Sequence, residues 1–135
     1  MLSPTTATLR LFLHVLAATM WVGGQLTLAG LVPGLRALSP DAPRALARRF
    51  NRIAWAAFGA LLVTGLWNIA AINIVDTTSD YQVTLFLHLA IVAVSGISAA
   101  AHAGATSKIV IAAAGAISGL SAVGALFLGI LLQSG

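Results

Sequence analysis

Four apolar stretches, each long enough to cross a bilayer, take up most of this chain. A spanning helix needs about 20 mostly apolar residues. The stretches cover roughly residues 8–31, 52–74, 82–103 and 108–132. In lipid every backbone N–H and C=O must be satisfied within its own segment, so each stretch reads as a helix. Only 7% of the residues are charged, against about 25% in a soluble domain, so the chain lacks the means to cover a water-facing surface. The expected fold is an all-α integral membrane protein. It is a single domain over residues 1–135, an up-and-down bundle of four transmembrane helices. The spans and short connectors leave no room for a soluble catalytic domain. The first stretch is too long for a signal peptide, lacks an early basic cluster and is interrupted by Trp21 and Gln25, so it too reads as a span.

Charge in the connectors gives an orientation. The first connector carries Arg36, Arg44, Arg48, Arg49 and Arg52 against Asp41 alone, and the second carries Asp76 and Asp80 with no basic residue. Positive charge stays on the cytoplasmic side. Connectors one and three are therefore expected inside and both termini outside, in the cell (inner) membrane, with Arg10 the one dissenting charge. The pI of about 11.3 then reflects topology and lipid contact, with no nucleic acid implied. Pro33-Gly34 is expected to stop the first helix. Ser39, Pro40, Asp41 and Pro43 look like the start of the second. Arg44, Arg48 and Arg52 then recur on one helical face, as an anchor on anionic headgroups or, in the sharper reading, a docking site for a partner protein. On the fourth span Gly115 and Gly119 form a small-xxx-small pair, read as packing within the bundle or as a homodimer seam.

The absence of cysteine excludes disulfides, thiolate metal sites and iron–sulfur clusters. Attention falls on the three histidines, because an ionisable residue within a membrane is costly and marks a functional site by default. His14 and His88 lie at matching distances from the starts of spans one and three, so they are expected at one level near the outer side. Trp67 and Asn68, near the outer end of span two, fall in the same layer. On the His14 face lie Ala17, Ala18, Trp21 and Gly24, small residues and one flat one, as a macrocycle requires. Asn68 or Thr64 is expected to orient a ligating imidazole. Arg10, one turn before His14, is placed to pair a haem propionate. Two imidazoles are a poor cage for zinc, which takes three or four protein ligands. Copper(I) prefers sulfur, and only Met20 is near. A porphyrin brings four nitrogens of its own, so two axial histidines suffice. The expectation is a b-type haem, iron-ligated by His14 and His88, with copper as the alternative. His102 reads as an interfacial histidine, its alternative being a second, inner site.

The run from His14 through Trp21 to Gly23 and Gly24 resembles the copper-resistance D (CopD)-like membrane domain, and more distantly the HemJ-type protoporphyrinogen oxidases. Arg49 to Ala54, followed by Thr64 and Gly65, resembles the next helix of that family. His88 stands where relatives usually carry lysine, and His102 matches a later family histidine. The resemblance covers about three quarters of the chain and implies a four-helix membrane protein tied to copper handling or haem. Histidine at position 88 favours bis-histidine haem over HemJ-type oxidoreductase activity. Electron transfer is then expected, with a quinone or another redox membrane subunit as partner. The competing readings are a copper transporter, a HemJ-like oxidoreductase, and an accessory subunit without cofactor.

Overall fold

The computed structural model describes residues 3–134, and among these residues the secondary structure is entirely helical. Helix α1 spans Thr6–Leu38, α2 Ala42–Ala70, α3 Ser79–Gly104 and α4 Lys108–Ser134. All four are long and apolar enough to cross a membrane. The chain is a multi-pass membrane protein.

Local chemistry sets the helix ends. Thr5 caps α1 through a reciprocal box with Thr8, each side chain bonded to the other's backbone N–H. Pro43 occupies the first turn of α2, where its missing N–H costs nothing. Thr78 caps α3 by accepting from the Tyr81 N–H at 3.2 Å. Between α2 and α3 a single 3₁₀ turn, Ile74–Asp76, is tied down by Gln82, whose side-chain amide donates to the Ile74 carbonyl at 3.0 Å.

Two boundaries differ from the sequence expectation. Helix α1 runs through Pro33-Gly34 instead of stopping there, with Pro33 inside the helix. Proline removes one intrahelical bond, a local cost that a helix of 33 residues absorbs. Helix α2 ends at Ala70, a turn earlier than expected. At 1.5 Å per residue α1 is about 50 Å long and α2 about 43 Å, both beyond the ~30 Å hydrocarbon core. The arginine-bearing end of the first hairpin is therefore a helical extension of the spans.

The described residues resolve into two compact units that divide between Ile72 and Asn73, and each is an antiparallel helical hairpin. In the N-terminal hairpin α1 packs on α2 around Trp21, Trp55 and Phe58. The Trp21 and Phe58 rings lie 4.6 Å apart, and Trp55 meets both edge-on at 5.8 and 5.7 Å. Towards the arginine end the Phe50 ring fills the space over Gly24, where any Cβ would collide with it.

In the C-terminal hairpin the buried residues of α3 and α4 are Ser95, Gly96, Ala114, Ser118, Ala122 and Ala125, all small. Small side chains let two backbones approach, which is the packing mode left when lipid removes the hydrophobic drive between helices. At the centre Ser95 Oγ donates to the Ser118 carbonyl and Ser118 Oγ to the Ser95 carbonyl, both at 3.1 Å.

Candidate functional site

Each hairpin holds a half-buried histidine near the end formed by the start of its first helix and the end of its second. In the N-terminal hairpin His14 Nδ1 lies 2.8 Å from Thr64 Oγ1. Thr64 already donates its one hydroxyl proton to the Ala60 carbonyl at 2.6 Å. Its oxygen therefore accepts, and His14 Nδ1 carries the proton. The His14 ring lies over Gly65, 3.4 Å from where a Cβ would stand. One turn towards the helix start, Arg10 Nε donates to Asn68 Oδ1 at 2.6 Å. Arg10–Asn68 and His14–Thr64 are thus successive rungs, four residues apart on both helices.

In the C-terminal hairpin His88 Nδ1 donates to the Ala125 carbonyl at 2.9 Å, and His102 Nδ1 to the Ile111 carbonyl at 2.7 Å. Both acceptors are main-chain carbonyls already inside a helix, and in both the residue four positions on is glycine, Gly129 and Gly115. Side chains in a helix lean back over the preceding turn, so a glycine there bares the carbonyl. The histidine rings lie over these glycines, His88 Cε1 at 3.5 Å and His102 Nδ1 at 2.8 Å from a Cβ position. Gly115 is thereby engaged within its own hairpin, while a Cβ at Gly119 would meet open space.

The contacts form a ladder. His88–Ala125, Ser95–Ser118 and His102–Ile111 are spaced seven residues forward on α3 and seven back on α4. Seven residues in two turns is the repeat of a left-handed helix pair. The ladder also explains why His88 and His102, fourteen residues apart, address one neighbouring helix.

In its neutral form each of the three imidazoles takes the same tautomer, with the Nδ1 proton given to an oxygen of the adjacent helix and the lone pair on Nε2. This is the arrangement in which a histidine ligates a metal: the other ring N–H is held by an oxygen that fixes the ring and raises its basicity. Each imidazole held in this way has, taken singly, the chemistry of a haem-iron ligand. Among the described residues no group of three or more His, Cys, Asp or Glu side chains gathers as a cage for a bare metal ion.

The sequence-predicted residues fall into separate settings. Of the two orienting residues expected for His14, Thr64 bonds it and Asn68 holds Arg10 instead. Ala17 and Trp21 are buried, with Trp21 in the aromatic cluster; Ala18 is half-buried, and Gly24 lies beneath Phe50. His88 belongs to the other hairpin. His102 is exposed beside the α3–α4 connector, where its bond to Ile111 closes the hairpin end. Sequence reasoning missed Gly129, the two carbonyl acceptors and the serine rung. The signal for the two carbonyl acceptors is a glycine four residues after each, opposite His88 and His102.

No protein-family profile, curated protein or solved structure matches the chain. Fold and site define a polytopic, cysteine-free membrane protein of two helical hairpins with oriented intramembrane histidines.

Proposed function

We propose that the protein is a membrane haem protein of b type in which His14 and His88 ligate the iron, each through Nε2. One observation carries this reading: in each hairpin a half-buried imidazole commits its Nδ1 proton to the adjacent helix, His14 to Thr64 and His88 to Ala125. With the proton on Nδ1, Nε2 is in both places the nitrogen that carries the ring's lone pair, the atom a haem iron would take. Haem, when bound, supplies one-electron redox chemistry. The chain holds the two ligands in a set rotamer and keeps their Nδ1 protons out of the exchange. Arg10, steered by Asn68, offers its remaining guanidinium N–H groups to a propionate. With His14 and His88 both given to the iron, the haem would serve electron transfer, to a quinone in the lipid or a redox subunit. The arginine-rich connector lies on the cytoplasmic side and both termini on the other.

The test is a reduced-minus-oxidised optical spectrum of detergent-purified protein, with iron and copper measured on the same sample. The expected result is a sharp b-type α-band and one iron per chain, lost in His14→Ala and in His88→Ala. Copper without a Soret band would replace this reading with copper handling. Neither metal after haem-supplemented expression would leave an accessory subunit.

A further inference from the structure

Arg48, Arg49 and Arg52 line a concavity of about 460 Å³ at the start of α2, with Ala45 as its remaining wall. All three are exposed, and among the described residues no carboxylate or other acceptor is bonded to them. Unpaired arginines packed this closely repel one another unless an anion lies between them. The guanidinium fork matches phosphate oxygens two at a time.

A second, separate observation lies next to it. A groove of about 680 Å³ follows the α1–α2 seam, walled by Leu13, Leu16 and Met20 on one side and Ala56, Gly59 and Ala60 on the other. Arg52 stands at one end, where the groove meets the arginine cradle, and Thr64 at the other. Twelve residues of helix separate those ends, about 18 Å, close to half the ~30 Å hydrocarbon core. The groove is thus one leaflet deep, almost wholly apolar, and positively charged only at the mouth.

We infer that this face of the N-terminal hairpin binds one anionic membrane phospholipid, its phosphate among Arg48, Arg49 and Arg52 and an acyl chain along the groove to Thr64. Charge complementarity at the mouth distinguishes this occupant from a neutral lipid. The apolar length below it distinguishes the site from one for a free phosphate. The inference stands apart from the haem reading, since it uses neither histidine.

The experiment is native mass spectrometry of delipidated protein titrated with phosphatidylglycerol, with phosphatidylcholine and inorganic phosphate as separate probes. A single phosphatidylglycerol adduct is expected, preferred over phosphatidylcholine. Substituting all three arginines by glutamine should weaken it by roughly a hundredfold, taking each basic residue at its usual surface contribution. Those arginines also bear on insertion, so Gly59→Phe supplies the second variant. A Cβ at Gly59 meets nothing within 4 Å, so the phenyl ring fills the groove and leaves the charges in place, and the adduct should fall at least tenfold. Unchanged binding in Gly59→Phe overturns the inference. So does full competition by inorganic phosphate, which would make this an anion site. A wild-type dimer that Gly59→Phe splits, with no lipid adduct, would assign the groove to a second copy.

Discussion

On α1 and α2 the buried positions include Trp21 and Phe58, whereas on α3 and α4 every buried residue is serine, glycine or alanine. The two hairpins face the same problem, since lipid offers no hydrophobic reward for pairing helices. The first answers it with bulk. Three aromatic rings fill a wide seam by dispersion contacts. The second answers it with proximity. Its backbones come close enough for serines and histidines to bond main-chain carbonyls at three evenly spaced rungs. The difference reaches the histidines. His14 leans on a side chain, Thr64, and His88 on a carbonyl that no substitution removes.

The sharpest way to break this contrast is to change volume in opposite directions. Trp21 is 4% exposed and touches both other rings. Trp21→Ala should destabilise the N-terminal hairpin by about 3 kcal/mol, the scale of large-to-small losses where a cavity stays open. Unfolding in dodecyl sulfate–detergent mixtures measures it, and a loss close to zero would remove the aromatic cluster as the closing element. The C-terminal hairpin should respond to the opposite change. Ala122 is 2% exposed, so Ala122→Leu forces the helices apart at an expected cost of about 2 kcal/mol. A leucine tolerated there would mean that close approach is not what holds α3 to α4.

How far each hairpin was legible in the sequence follows from the same contrast. Apolar runs gave the four helices, and the two polar residues near the outer end of span two, Asn68 and Thr64, gave the pair that contains the acceptor for His14. Pro33 misled, because a helix that already extends past the membrane survives the loss of one bond. Gly24 read as open space beside His14's stripe; what fills it is Phe50, and a single sequence does not say which residue lies across a seam. The α4 side of the ladder escaped the sequence, while its α3 side keeps nearly one helical face. At 3.6 residues per turn, fourteen residues leave His102 about 40° away from the face of His88. At the 3.5 of a left-handed pair that offset vanishes, so the two face α4 alike. Thr64 was legible because its side chain is polar, whereas the acceptors of His88 and His102 are backbone atoms, which no residue type announces.

The side-chain acceptor makes one hairpin's histidine tunable. Thr64→Val keeps the shape and removes the oxygen that His14 bonds, while Thr64→Ser keeps the oxygen. On the haem reading, Thr64→Val should weaken haem binding by roughly tenfold, the lower end of the usual effect of losing an orienting partner, and Thr64→Ser should restore it. Haem titration of the apoprotein reads the affinity, and the Soret position reads the ligand field. Equal affinity in Val and Ser variants would mean that Thr64 only packs. The matching change opposite His88 is Gly129→Val, which places methyl groups over the Ala125 carbonyl and should give a loss of the same order.

The smallest expected effect concerns the outermost rung of the first hairpin. Arg10 and Asn68 are half-buried and bonded at 2.6 Å. A bond to a charged donor contributes about 1.5–3 kcal/mol in soluble proteins, yet polar pairs between membrane helices average only about 0.6 kcal/mol by double-mutant cycles. Near the end of the span the unpaired groups find water, which favours the lower figure. A cycle through Arg10→Ala, Asn68→Ala and the double variant should therefore give a coupling of about 0.6 kcal/mol in unfolding. That is too little to hold the hairpin, so the rung's value lies in aiming the guanidinium. If Arg10 pairs a propionate, the same cycle read by haem affinity should give a larger coupling than the one read by unfolding. Equal couplings would reduce Arg10–Asn68 to a helix tie, and the N-terminal hairpin's claim on haem would then rest on His14 and Thr64 alone.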